Sequence, residues 1–299
     1  MAAAASTAAF ARPAISQTAP SKIPPPQVKQ DPALAGKLGV VTAILSRHMS
    51  VAPAPGKFTL LELPRVLRDE LDLTIIDYNS VNFPNFDPAM LEKLRSNTED
   101  AGCVATNLKM NQKVDMGSAD DAVREQALKV YRKTIDAAAL LGLRWVRPLP
   151  QPTNEHPEIL VDSLRHLADY AAESGIAVLV ENFGWMMDDP DSVVKLLKAI
   201  DRPGQVAAGI DTGNWADNEV RYPALEKSMP LAVTCDFKAK VMADDGSHAA
   251  YDLKKCFDIA WAAGFRGPWA FEHGHTDRAR CFLEIGLLRD WMREWMKAA

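Results

Sequence analysis

Three carboxylates, Glu181, Asp211 and Glu272, each close a short apolar run, at 176–180, 206–210 and 269–271. Runs rich in Val, Ile and Leu without polar alternation read as strands covered on both faces. One acid at a strand end serves as a helix cap or a surface pair as readily as a functional group. Three on neighbouring strands of one sheet would converge, and convergent carboxylates repel unless protonated, ion-paired or bound to metal. A divalent ion meets that need and adds a Lewis acid for polarising a carbonyl or hydroxyl. An oxygen-dominated ligand set suits Mg or Mn.

The elements that must position these acids alternate along the chain. Strand-like runs fall at 38–45, 73–78, 103–110, 144–149, 176–181, 206–211, 232–238 and 269–272. Helix-like stretches lie between them at 88–101, 120–141, 157–174, 192–200, 253–263 and 282–296. Gly102, Gly142, Gly175 and Gly264 follow helical patterns as C-caps. Eight βα units in the 263 residues after Gly36 predict an α/β fold, a single (β/α)8 TIM barrel at 37–299. An open doubly wound sheet would place a Gly-rich phosphate loop after its first strand, where Leu45-Ser46-Arg47-His48 stands instead.

In a barrel, chemistry gathers at the C-terminal ends of the strands. Those ends carry Asn107 and Lys109, Arg147, Asn182 beside Glu181, Asn214 and Trp215 after Asp211, Asp236 and Lys238, and His273 and His275 after Glu272. Asn107, Lys109, Arg147, Asn182, Asn214, Trp215, His273 and His275 are the candidates for substrate contact; Trp215 reads equally as a stacking wall or as core. The strand period of 2 sets Leu179, Ala177, Gly209, Ala207 and Ala270 beneath the three acids, and turns Cys235 outward toward Cys256.

Residues 1–36 are an Ala/Pro-rich segment without a core pattern, expected as an extended arm or tail. Ala9-Phe10-Ala11 resembles the cleavage region of an export signal, but the segment lacks a basic start and a full apolar stretch. The chain is therefore read as exported or periplasmic on one reading and cytoplasmic on the other. A balance of 34 basic against 39 acidic residues argues against nucleic acid as partner. No run approaches the ~20 apolar residues of a bilayer span. Four scattered cysteines without a CxxC pair predict buried thiols. Trp291 and Trp295, near the C-terminus, fit core packing or a homo-oligomer contact, with core packing preferred.

The runs Val178-Leu179-Val180-Glu181-Asn182, Gly209-Ile210-Asp211-Thr212-Gly213-Asn214 and Phe271-Glu272-His273-Gly274 resemble the sugar phosphate isomerase/epimerase family, within the xylose-isomerase-like TIM barrel superfamily. The resemblance implies that Glu181 and Glu272 trade a proton on opposite faces of a substrate carbon. It also implies that Glu181, Asp211 and Glu272 hold one divalent metal together with a His. That His is missing. Either Asp236-Phe237-Lys238 replaces it with an acid, adding Asp236 to the metal ligands, or Lys238-Ala239-Lys240 replaces it with a cation, making Lys238 an electrostatic stabiliser or general acid.

The expected function is an isomerase or epimerase of a small keto-sugar, metal-assisted, with an unphosphorylated substrate preferred. A lyase or hydratase on a keto-sugar or keto-glycoside is one alternative. A non-catalytic sugar-binding homologue or partner subunit is the other.

Overall fold

Eight short segments, nearly all buried along their whole length, pair in parallel: β1 (Leu38–Val41), β2 (Ile75–Asn79), β3 (Val104–Met110), β4 (Trp145–Pro148), β5 (Ala177–Val180), β6 (Val206–Asp211), β7 (Ala232–Lys238) and β8 (Trp269–Glu272). β8 pairs with β1, so the sheet closes. This computed structural model describes residues 29–149 and 153–299. Helices α1 (Leu63–Leu71), α2 (Pro88–Asp100), α3 (Asp121–Leu140), α4 (Pro157–Ala172), α5 (Ser192–Ile200), α6 (Asn218–Ser228), α7 (Leu253–Ala262) and α8 (Arg278–Ala298) alternate with the strands. The fold is the (β/α)8 barrel expected from the alternation of patterns.

Local chemistry accounts for the element ends. Asp87, Asp120, Asp217, Asp252 and Asp277 cap α2, α3, α6, α7 and α8 by accepting hydrogen bonds from first-turn N–H groups. The four glycines predicted as C-caps all take positive φ. Three expectations shift. The first strand stops at Val41, because Thr42 Oγ1 accepts from the Asn79 amide at 2.9 Å and donates to Asn82 at 2.7 Å, pinning a 3-10 turn. Helix α1, nine residues that open on Leu63-Pro64, is an addition to the helices read from the sequence. Helix α6 escaped it because Pro223 interrupts it and two of its four buried residues, Arg221 and Ser228, are polar.

The core has two parts. One lies between the sheet and the helices. It takes Cys235, Cys256 and the ring cluster in which Trp295 packs against Phe237 and Phe257 at 6.2 and 5.6 Å. Trp295 is thus a core-facing residue, as its period suggested. The other part lies inside the barrel and consists of Ile75, Trp145, Ala177, Leu179, Ala207 and Val233 with Leu34. Small residues beneath the acids make room for Trp145. Leu34, on a turn capped by Asp31, closes the N-terminal end of the barrel, and an Arg144–Asp31 ion pair ties that turn down. Of the 1–36 segment expected as an arm or tail, positions 1–28 with the cleavage-like stretch lie outside the described residues, while 32–34 form the turn that carries Leu34.

All four cysteines are buried. Burial pushes the Cys103 thiol up to about 11 and the Cys256 thiol up to about 12, so neither supplies thiolate at neutral pH. Ellman's reagent should therefore find no reactive thiol in the native protein and four after unfolding in guanidinium. Rapid native labelling of any cysteine would contradict this packing.

Candidate active site

The C-terminal end of the barrel holds two layers of charge. In the deep layer, Lys109 of β3 reaches across the barrel to Glu181 Oε2 at 2.9 Å and to Asp236 Oδ2 on β7. Arg147 of β4 brings its Nε to 2.8 Å from the same Glu181 oxygen. Their side chains are almost wholly buried. Strand parity puts them together. Residues 107 and 109 share a face of β3, as 145 and 147 do on β4 and 236 and 238 on β7.

The upper layer is built on Lys238. Its Nζ lies 2.7 Å from Asp211 Oδ2, 2.9 Å from Glu272 Oε1 and 2.7 Å from Asn214 Oδ1. Asn214 also donates to Glu181 Oε1 at 3.2 Å, linking the layers. The Glu272 and Lys238 side chains are 25% and 17% exposed, against 0% for Asp211, so these two meet a solute entering the mouth. Asp236 and Lys238 both face inward from one strand, two residues apart, and Lys240 points to solvent.

A shell of polar contacts fixes this arrangement. Asn182 donates to the Asp211 carbonyl and accepts from its amide, both at 2.9 Å, stapling the ends of β5 and β6. Asp211 Oδ1 accepts from the amides of Gly213 and Asn214 at 2.7 and 3.1 Å. Arg221, on α6, donates to the carbonyls of Thr212 and Trp215 and stacks 4.0 Å from the centre of the Tyr251 ring. Tyr251 in turn donates to the Lys238 carbonyl. The Lys238 stem lies against Gly213, where a Cβ would stand 2.7 Å from Lys238 Cδ. Arg221 and Tyr251 were not legible as site residues, since each acts through backbone carbonyls rather than through a side-chain pattern.

Trp215, Asn182, Asn107 and His273, predicted as substrate contacts, are corrected. Trp215 is fully buried in the outer core and offers no stacking wall. Asn182 spends both polar atoms of its amide on the Asp211 backbone. Asn107 lies one layer too deep, level with Asp77 and Trp145 and beneath Lys109, because strand parity carries it inward but two residues down the barrel. His273 is buried with its ring between the Ala239 carbonyl and Glu284, each at 2.7 Å. Its neighbour Glu272 takes the inward face of β8, so His273 turns to the helix layer. His275 is half-buried in the loop leading to α8, where its Nδ1 accepts from the Asp277 amide and its carbonyl meets His48. Lys109 and Arg147 are brought to the site, but as buried partners of the acids rather than as surfaces open to solute.

The electrostatics separate the acids. Burial works against ionisation of Glu181, yet Arg147 and Lys109 outweigh it and hold the carboxyl at about 2. For Asp211, burial wins over the pull of Lys238 and raises the carboxyl to about 6, helped by Glu272 and Glu181. Burial also pushes Asp236 well up against the pull of Lys109. Burial opposes the charge on Lys238, but Asp211 and Glu272 overcome it and raise its pKa.

Oxygens of Glu181, Asp211 and Asp236 lie within 4.8 Å of one another. Asp236 Oδ1 is buried and without a hydrogen-bond partner, and the donor set is all oxygen. These features fit a hard divalent cation. The inward-facing acids Glu181, Asp211, Asp236 and Glu272 are interleaved with three cations, Lys109, Arg147 and Lys238.

Comparison with known proteins places this geometry. The profile described as xylose isomerase-like TIM barrel matches residues 70–297. The L-ribulose-5-phosphate 3-epimerase UlaE of Escherichia coli O157:H7 is 26% identical over 208 residues, 64% of this chain and 72% of that protein. The D-psicose 3-epimerase of Clostridium cellulolyticum H10, solved with D-tagatose, superposes with a TM-score of 0.69 at 15% identity, covering 86% of this chain and 98% of the other. A xylose isomerase-like TIM barrel protein of Mycobacterium smegmatis, solved in complex with magnesium, gives 0.64 at 17% identity over 88% of this chain and 97% of the other.

The depressed Glu181 carboxyl links the site to stability. A carboxyl held at about 2 in the fold and at 4.5 when unfolded contributes stability that is complete above pH 4.5 and is lost as pH falls toward 2. Glu181→Gln should remove that contribution and strand Lys109 and Arg147, costing ~3–5 kcal/mol in denaturant titrations at pH 7. A variant as stable as the parent at pH 7 would contradict the ion pairing.

Proposed function

The chain belongs to the xylose isomerase-like TIM barrel family and is an enzyme of the sugar epimerase and isomerase type; we propose that it moves a proton at the carbon next to the carbonyl of a small keto-sugar. The observation that carries this reading is the pairing of Glu272 with Lys238 at the mouth, above the clamped Glu181. A C–H next to a carbonyl becomes removable when the oxygen taking up the charge is stabilised, and an ammonium in a partly desolvated mouth does that. Lys238 keeps its proton because two carboxylates flank it, so it acts as a hydrogen-bond donor to the developing enediolate and not as a nucleophile.

Glu272 is the carboxylate most open to a solute and is placed to take the proton. Glu181, after β5, joins the same network through Asn214 and would serve as the second acid/base group an epimerase needs. Asn214, bonded to both Glu181 and Lys238, orients the pair. Lys109 and Arg147 keep Glu181 ionised and fixed in place. A divalent ion, Mn or Mg, would be held by Glu181, Asp211 and Asp236 with Glu272, and would polarise the substrate oxygens.

Support for epimerase over lyase chemistry comes from the relative whose name carries 3-epimerase activity on a ribulose phosphate. No residue of the site favours the lyase reading or the non-catalytic one. Ketopentoses, ketohexoses and their phosphates therefore form the substrate panel.

Glu272→Gln and Glu181→Gln should each lower turnover ~10²–10⁴-fold, the usual contribution of a general acid or base. In D2O, loss of one of two bases should leave exchange of the substrate C–H from one epimer only, read by proton NMR. If both variants turn over every accepted keto-sugar at the parental rate, proton transfer by these two residues is wrong.

A further inference from the structure

We infer that Lys238 and a divalent ion are alternative occupants of the position between Asp211 and Glu272. The inference rests on the reading that Glu181, Asp211, Asp236 and Glu272 are the ion's ligands. Asp211 carries the geometric half of the argument. Its Oδ1 is committed to the amides of Gly213 and Asn214, so Oδ2 is the oxygen left for a metal, and the Lys238 ammonium lies on that oxygen at 2.7 Å. Glu272 Oε1 is held by the same ammonium at 2.9 Å. A metal bound to Asp211 Oδ2 must take the place of the ammonium there.

Charge supplies the other half. A divalent ion added beside a retained ammonium would set two positive charges against the same oxygens of Asp211 and Glu272 in a mostly buried site, and exchanging one for the other avoids that repulsion. Only Lys238 can make the exchange. Lys109 is 2% exposed and bridges Glu181 and Asp236 deep in the barrel, and Arg147 is equally enclosed. Lys238 is 17% exposed at the mouth, and its third partner, Asn214, is half-buried. On leaving Asp211, the ammonium moves toward the space where a substrate oxygen would lie.

Two measurements on the full chain test this, both without substrate. Calorimetric titration with MnCl2 should show Lys238→Met binding the ion at least ~10-fold more tightly than the parent, about 1.4 kcal/mol. Equal or weaker binding overturns the proposal, as does an absence of binding in both proteins. The second measurement needs no variant. Reductive methylation followed by mass spectrometry gives the labelling rate of Lys238, which should rise several-fold in excess MnCl2 as the ammonium is released into the mouth. A rate that is unchanged or lower in Mn overturns the proposal. Neither readout depends on turnover, so a failed search for epimerase activity leaves this result standing.

Discussion

Lys109 is the constraint around which the C-terminal half of the barrel is arranged. It crosses the barrel interior from β3 to join Glu181 after β5 and Asp236 on β7. A buried ammonium costs several kcal/mol in desolvation unless charged partners surround it. That cost is met only if the barrel closes in one register, with the three positions at one level. The same cation favours the ionised form of Glu181 in the interior. Arg147 adds to this, so a buried acid of the site is firmly held ionised.

Above that layer the design changes from burial to adjustable exposure. Asp211 is immobilised by its own turn amides and by the Asn182 staple, and the carbonyls of that turn are gripped by Arg221. Lys238 has a fixed backbone, through Tyr251, and a stem laid against Gly213, while its ammonium end reaches the mouth. The rigid parts therefore hold the acids, and the part free to move carries positive charge. A proton-transfer site needs this division, because the acids must keep their spacing while the oxygen they act upon enters and leaves.

Much of this was legible in the sequence, for physical reasons. Strands buried on both faces lose polar alternation, and acids that close such strands stand out against them. Glu181, Asp211 and Glu272 were found that way, while Asp236 and Lys238 stood as alternatives and the structure turns both inward. Parity has no depth, however. It could not tell that Asn107 sits below the site while Lys109 enters it, because a strand's height in a barrel is set by the shear between neighbours. Nor could it tell that Asn182, next to Glu181, turns its amide to a backbone. Arg221 stayed hidden inside a helix broken by proline, and Trp215, next to a site acid, turned out to be core.

Asp236 and Lys238 are best understood as one electrostatic pair on the inward face of β7. Asp236 adds an acid beside Glu181 and Asp211, and Lys238, one pleat further along the same strand, adds a cation against Asp211 and Glu272. Because residues 236 and 238 share a face, the pair fits into one strand without disturbing its neighbours. Lys109 takes one oxygen of Asp236 and leaves the other free. The result is a mouth whose cation is covalently attached to the chain and whose deeper acids keep the geometry to accept another.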